Sequence, residues 1–160
     1  MPAPYRVLFL CTGNCCRSQM AEALLRHLGG DRFIAHSAGS DPAGFVHPLA
    51  INAMAEMGIS VEGQRSKSWD EFADEPHDIV LTLCDSAAGA PCPTWPGHPA
   101  TAHWGLPDPS FARGGDKDRL AAAMTVARQL RNRIERMTAL PLDALTPSQL
   151  RAELQRIAED

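Results

Sequence analysis

A cysteine, an arginine and a serine stand within eight positions of one another in Cys11-Thr12-Gly13-Asn14-Cys15-Cys16-Arg17-Ser18. The preceding Tyr5-Arg6-Val7-Leu8-Phe9-Leu10 is β-prone, and the following Gln19-Met20-Ala21-Glu22-Ala23-Leu24-Leu25 is helix-forming. A loop that joins strand to helix with no spare residues must curl, a turn that Gly13 permits. The main-chain N–H groups of Thr12, Gly13, Asn14, Cys15, Cys16 and Arg17, with those of the first helical turn, can then converge on one anion. Arg17 can clasp two oxygens of that anion at once. Beside a helix N-terminus and a cation a thiol becomes a thiolate: a pKa near 8.5 leaves about 3 % ionised at pH 7, whereas one near 6.5 gives about 75 %. The sequence therefore reads as an oxyanion cradle with Cys11 as nucleophile at its base and Ser18 offering a hydroxyl to the sulfur. The plainer reading makes Cys11 a core cysteine that ends a strand and Arg17 a surface residue.

The elements that must position this loop alternate. Gly29-Gly30 stops the first helix, and Phe33-Ile34-Ala35-His36-Ser37 forms a second strand entering the turn Ala38-Gly39-Ser40. His47-Pro48 opens a helix through Met57, with Leu49, Ala50, Ala53, Met54 and Met57 at helical spacing. Residues 64–76 are polar and broken, with a short helical turn at Trp69-Asp70-Glu71-Phe72 and a place in one wall of the site. Asp78-Ile79-Val80-Leu81-Thr82-Leu83 is a buried strand leading to Cys84, followed by a Gly- and Pro-rich loop and a short fourth strand, Ala100-Thr101-Ala102-His103-Trp104. His103 reads as a packed core residue that could also orient Asp108. Residues 116–137 form a long amphipathic helix whose arginines face solvent, and Thr146-Pro147-Ser148-Gln149 is a capping box opening a terminal helix. This pattern predicts an α/β fold: a four-stranded parallel sheet flanked by helices on both faces. Ligands in such sheets bind beyond the carboxyl ends of the strands, where Cys11 and Cys84 both fall.

A length of 160 residues predicts one domain, 1–160, with 138–160 as a C-terminal helical extension. The net charge of −4 gives no footprint for nucleic acid, and no apolar run is long enough for a membrane span or a signal peptide core. Five cysteines cannot all pair within one chain, which fits a reducing, cytoplasmic setting where cysteines serve chemistry.

Several motifs together resemble the arsenate reductases built on the low-molecular-weight tyrosine phosphatase fold. They are Cys11-Thr12-Gly13-Asn14, Cys16-Arg17-Ser18-Gln19-Met20-Ala21-Glu22, Ser37-Ala38-Gly39, Leu81-Thr82-Leu83-Cys84-Asp85, Cys92-Pro93, and His103-Trp104-Gly105 with Asp108-Pro109. The resemblance spans roughly residues 5 to 137 and implies reduction of arsenate to arsenite by a thiol relay with no cofactor. On these positions Cys11 attacks arsenic, Arg17 and the loop amides hold its oxygens, and Asp108 protonates the departing hydroxyl. Cys84 then attacks Cys11, and Cys92 moves the disulfide onward to thioredoxin.

The sequence departs from that family at three places. Seven residues, Asp85 to Pro91, separate Cys84 from Cys92, one more than in thioredoxin-coupled members, which keeps glutaredoxin with glutathione open as the reductant. Cys15 replaces a serine usual in the loop. Lys67 aligns with an aspartate that, in potassium-responsive members, holds a K⁺ ion together with residues matching Asn14, Glu22 and Ser37; the lysine is expected to replace the ion. The alternatives are a phosphotyrosine phosphatase using Cys11, Arg17 and Asp108 alone, with Trp69 or Phe111 as its aromatic wall, and a non-catalytic thiol protein binding arsenite or zinc.

Overall fold

The computed structural model describes residues 3–83 and 95–159. Its centre is β1 (Tyr5–Cys11), whose residues Val7 to Cys11 are all buried, because the strand has a neighbour on each side and a covered face above and below. β2 (Phe33–Gly39), β3 (Ile79–Thr82) and β4 (Ala100–His103) complete a parallel sheet in the order β2-β1-β3-β4. The register pairs Cys11 with Gly39 and Leu10 with Thr82, and the Leu83 amide donates to Leu10 O at 2.8 Å. β1, β2 and β3 therefore end together at one edge of the sheet.

Alternation along β1 divides the core in two. Val7, Phe9 and Cys11 face α1 (Arg17–Gly29), α2 (Pro48–Glu56) and α3 (Asp116–Thr138), where Met20, Leu24, Met54, Leu130 and Ile134 are fully buried. Leu8 and Leu10 face the other way, against Trp69 and Phe72 of the 3-10 turn Trp69–Phe72 and against Trp95. Each large apolar side chain buried this way contributes about 1.5–3 kcal/mol. α2 starts where the sequence suggests: His47 caps it, its Nδ1 accepting from the Leu49 amide at 3.0 Å, and Pro48 takes the first turn.

Three sequence expectations change. Arg133 is buried rather than solvated: α3 turns it toward the end of α4 (Pro147–Ala158), where it donates to Ala158 O at 3.3 Å. α4 does more than append a helix. Leu154 and Ile157 enter the main core, and the indole of the fully buried Trp104 donates to Leu154 O at 2.9 Å, so this helix covers β4. His103 is partly exposed and bonded through Nδ1 to Thr82 Oγ1 at 2.8 Å, within the sheet rather than toward Asp108. Among the described residues no helix is long and apolar enough to cross a membrane.

Candidate active site

The loop from Thr12 to Cys16 leaves β1 at the sheet edge and enters α1. Its carbonyls are turned outward and held there. Thr12 O accepts from the Asp41 amide, Gly13 O from the Ala43 amide and Ser66 Oγ, Asn14 O from Gln19 Nε2, and Cys15 O from the His47 amide, at 2.8 to 3.1 Å. A peptide plane whose carbonyl points out has its N–H pointing in, so the loop presents amides to its centre as an anion nest. The left-handed residue of the turn is Asn14, at φ 46°, not Gly13. A Cβ on Gly13 would meet nothing closer than Cys15 Sγ at 3.4 Å, whereas one on Gly39 would stand 2.4 Å from Thr12 O. Gly39 is the glycine the loop requires, since β2 passes against its backbone.

Asn14 is fully buried, and its partners fix both its orientation and a proton. The Lys67 amide donates to Asn14 Oδ1 at 2.9 Å, which makes Nδ2 the donor to Ser18 Oγ at 2.8 Å and Ser37 Oγ at 3.0 Å. Because Ser18 Oγ accepts there, its own hydrogen is free to point at Cys11 Sγ, 2.8 Å away. Ser37 Oγ in turn donates to Glu22 Oε1 at 2.6 Å. The chain of bonds ends on cations: Lys67 Nζ lies 3.6 Å from Glu22 Oε1 and donates to Arg65 O at 3.0 Å, and Arg26 Nη2 lies 2.6 Å from Glu22 Oε2. Lys67 is buried, which pushes its pKa down, while Glu22 pulls against that shift. Its ammonium reaches Glu22, but it is the main-chain N–H of Lys67 that holds Asn14.

The three loop cysteines differ. Cys11 is buried at the base of the loop against Ser18. Burial pushes Cys16 up to about 12, keeping it a thiol, and pushes half-buried Cys15 up as well.

Arg17 does not extend into the nest. Nη1 donates to Leu106 O at 2.9 Å and Nη2 to Asp108 Oδ2 at 3.3 Å, across a cleft of about 460 Å³ lined by Arg17, Gly105, Leu106, Pro107 and Asp108. Asp108 caps the 3-10 turn Pro109–Phe111, its Oδ1 accepting from the Ser110 amide and Oγ at 2.9 and 2.7 Å. Arg119 of α3 donates to Ser110 O at 3.0 Å and holds that turn in place. The structure thus brings Cys11, Arg17, Ser18 and Asp108 to one edge of the sheet. Cys84 and Cys92 lie outside the described residues. Trp69 belongs to the core, so of the two aromatic residues considered for a wall only Phe111, 84 % exposed, is on the surface.

Residues 64–67 back the loop rather than wall the cleft. Gln64 Nε2 donates to Gln19 O at 3.0 Å, Gln19 Nε2 donates to Arg65 O at 2.9 Å, and Ser66 Oγ holds Gly13 O. No sequence motif assigns a role to Gln64 or Ser66; for Gln19 the signal is a glutamine in the first turn of the helix that follows the loop.

This geometry matches known proteins. The profile of the family described as low molecular weight phosphotyrosine protein phosphatase fits residues 6–154. The chain belongs to that family. Within it, an arsenate reductase of Halalkalibacterium halodurans is 40 % identical over 129 residues, covering 81 % of this chain and 91 % of that protein. A solved arsenate reductase in the phosphate binding state superposes with TM-score 0.67 at 34 % identity, covering 84 % of this chain and 97 % of the other. A thioredoxin-dependent arsenate reductase of Corynebacterium glutamicum superposes with TM-score 0.57 at 28 % identity, covering 84 % of this chain and 64 % of that one. The four-stranded parallel sheet and the loop between β1 and α1 are therefore those of the low molecular weight phosphatase fold, and the named relatives here are arsenate reductases.

Proposed function

We propose that the protein reduces arsenate to arsenite, with Cys11 as nucleophile and thioredoxin as the final reductant in a reducing cytoplasm. The observation that carries the reading is the placement of Cys11 Sγ 2.8 Å from Ser18 Oγ, beneath a ring of inward-turned amides. That arrangement favours a thiolate and a tetrahedral oxyanion directly above it.

In the proposed sequence the arsenate oxygens enter the nest, and Arg17 leaves Leu106 O and Asp108 to clasp them. Oδ2 of Asp108, released from Arg17, then faces the hydroxyl that departs as water when the Cys11 sulfur bonds to arsenic, and Asp108 supplies the proton. The Cys84 thiolate next attacks the Cys11 sulfur. The sulfur–arsenic bond breaks with its electron pair passing to arsenic, so As(V) becomes As(III) and leaves as arsenite, while a Cys11–Cys84 disulfide forms. Cys92 attacks Cys84, frees Cys11, and leaves a Cys84–Cys92 disulfide for a dithiol reductant. The roles of Cys84 and Cys92 rest on their sequence positions, and the reading of thioredoxin on the likeness to the C. glutamicum protein. The same constellation of Cys11, Arg17 and Asp108 suits hydrolysis of a phosphate ester, and the exposed Phe111 beside the acid turn favours that as a second activity.

Arsenate-dependent NADPH oxidation, measured separately with thioredoxin and with glutaredoxin plus glutathione, tests the reading. Turnover with thioredoxin is expected; none with either system, together with hydrolysis of aryl phosphate, would favour the phosphatase. A Cys92→Ser variant is expected to release about one equivalent of arsenite per protein and then stop, since the first two thiols complete the arsenic chemistry. Steady turnover by that variant with thioredoxin would remove Cys92 from the relay.

A further inference from the structure

On the sheet face turned away from α1, three potential metal ligands meet that the thiol chemistry does not use. His36 lies on β2, level with Leu8 and so three residues, or about 10 Å, below Cys11 along the strands. Its Nδ1 stands 3.0 Å from Nε2 of the buried His77, and one ligand atom each from His36, His77 and Glu75 fall within 4.8 Å of one another.

The hydrogen bonds fix which nitrogens face each other. His77 Nδ1 stands 3.2 Å from Glu75 O, a carbonyl that only accepts, so Nδ1 carries the proton and Nε2 presents a lone pair toward His36. This is the outer hydrogen bond that orients a metal-ligating histidine. The His36 ring is held from its flat side by Phe72, stacked at 4.7 Å. Burial pushes the pKa of both rings down, His77 to about 4. Two imidazole nitrogens on one tetrahedral zinc ion, each about 2.0–2.1 Å from the metal, stand about 3.4 Å apart. The pair needs to open by a few tenths of an ångström and the rings to tilt so that both lone pairs turn from each other toward the ion. Glu75 is half-exposed and opens the site to solvent, and its carboxylate also accepts from Arg6 Nη2 at Oε2, 3.0 Å away.

We propose that His36 Nδ1, His77 Nε2 and a carboxylate oxygen of Glu75 form a binding site for a zinc ion, completed by water. On binding, the hydrogen on His36 Nδ1 moves to its Nε2, a change of tautomer with no net proton lost. The ion would join β2 to the segment that carries Phe72 and His77. That segment begins at Lys67, whose amide holds Asn14, and its Ser68 bridges Gly39. The site is a staple behind the active-site loop, not a participant in its chemistry.

Titration of the reduced, ¹⁵N-labelled full chain with zinc chloride, followed through the imidazole ¹⁵N resonances, tests this. At one equivalent, His36 Nδ1 and His77 Nε2 are expected to shift together, and a competing chromophoric chelator should report saturable binding. His36→Gln and the surface variant Glu75→Gln, the second chosen because it leaves the buried His77 in place, should each weaken that binding at least tenfold. Resonances of both rings unmoved at millimolar zinc, or unchanged affinity in Glu75→Gln and His36→Gln, would overturn the proposal. So would zinc taken up with only cysteine signals perturbed.

Discussion

Arg17 is engaged before any anion arrives, bonded to Leu106 O and to Asp108 Oδ2. In the proposed mechanism its release couples two events, since the oxygen of Asp108 that it frees is the one the leaving group needs. Asp108→Asn can still accept from Ser110 and hold its turn, but it has no proton to give. Arsenate binding is expected to persist while reduction slows by two to four orders of magnitude, roughly what general acid catalysis supplies. Equilibrium binding measured beside single-turnover rates would separate the two. The resemblance implies that a K⁺ ion would share the carboxylate of Glu22, and the Lys67 ammonium stands 3.6 Å from that carboxylate. Two unit charges about 4 Å apart repel by about 4 kcal/mol at an effective dielectric constant near 20, so ion and lysine exclude each other. Activity should therefore be indifferent to exchanging KCl for NaCl at equal ionic strength, and Lys67→Asp should introduce a potassium response. A several-fold activation of the unaltered protein by K⁺ would show that the ammonium does not fill this role.

Between β1, β2 and α1 the decisive contacts are made by main chain. Gly39→Ala drives a methyl group to 2.4 Å from Thr12 O, and since neither partner is a flexible side chain, the loop must shift. The expected result is a loss of about 1–3 kcal/mol in denaturant midpoint experiments, the usual cost of overpacking, with a larger loss of turnover because the amides are re-aimed. Full activity in that variant would mean the loop tolerates displacement. A contact of this kind leaves no mark in the sequence. Strand, loop and helix were legible because apolar residues change period at Cys11 and again after Ser18, and the cradle followed from the absence of spare residues between them. The turn's left-handed position was not legible, because a glycine stood beside the asparagine that takes it. Nor were the outward bonds from Asp41, Ala43 and His47: these are backbone amides from segments far along the chain, and no side-chain type announces them. The sequence marks Arg17 as an anion clasp, but one of its two resting partners is a carbonyl 89 positions away, again main chain without a signature. Gln19 and Ser66 are side chains, yet their targets are carbonyls that only the folded loop exposes.

The end of the chain closes the molecule back onto its first strand. Tyr5 of β1 donates its hydroxyl to Asp143, in the 3-10 turn that precedes α4, and that bond, with burial and the carboxylate charge, pushes the phenol up to about 12. A group whose folded pKa is raised contributes its stability fully below the unfolded value near 10 and loses it as pH rises through the folded one. Since Tyr5 is the chain's single tyrosine, absorbance at 295 nm should report one ionisation near pH 12, moving back toward 10 in Asp143→Asn. A transition near 10 in the unaltered protein would mean this closure does not form. At the opposite edge of the sheet, the inward-turned amides of residues 13–16 have, in the proposed mechanism, a consequence for chemical discrimination. Peptide N–H groups weigh charge and tetrahedral shape, and phosphate offers both as well as arsenate does. The element at the centre of the anion is therefore not identified when it docks. It is identified afterwards, when an electron pair is offered and only arsenic takes it, so phosphate is a reversible occupant that lengthens the wait without corrupting the product.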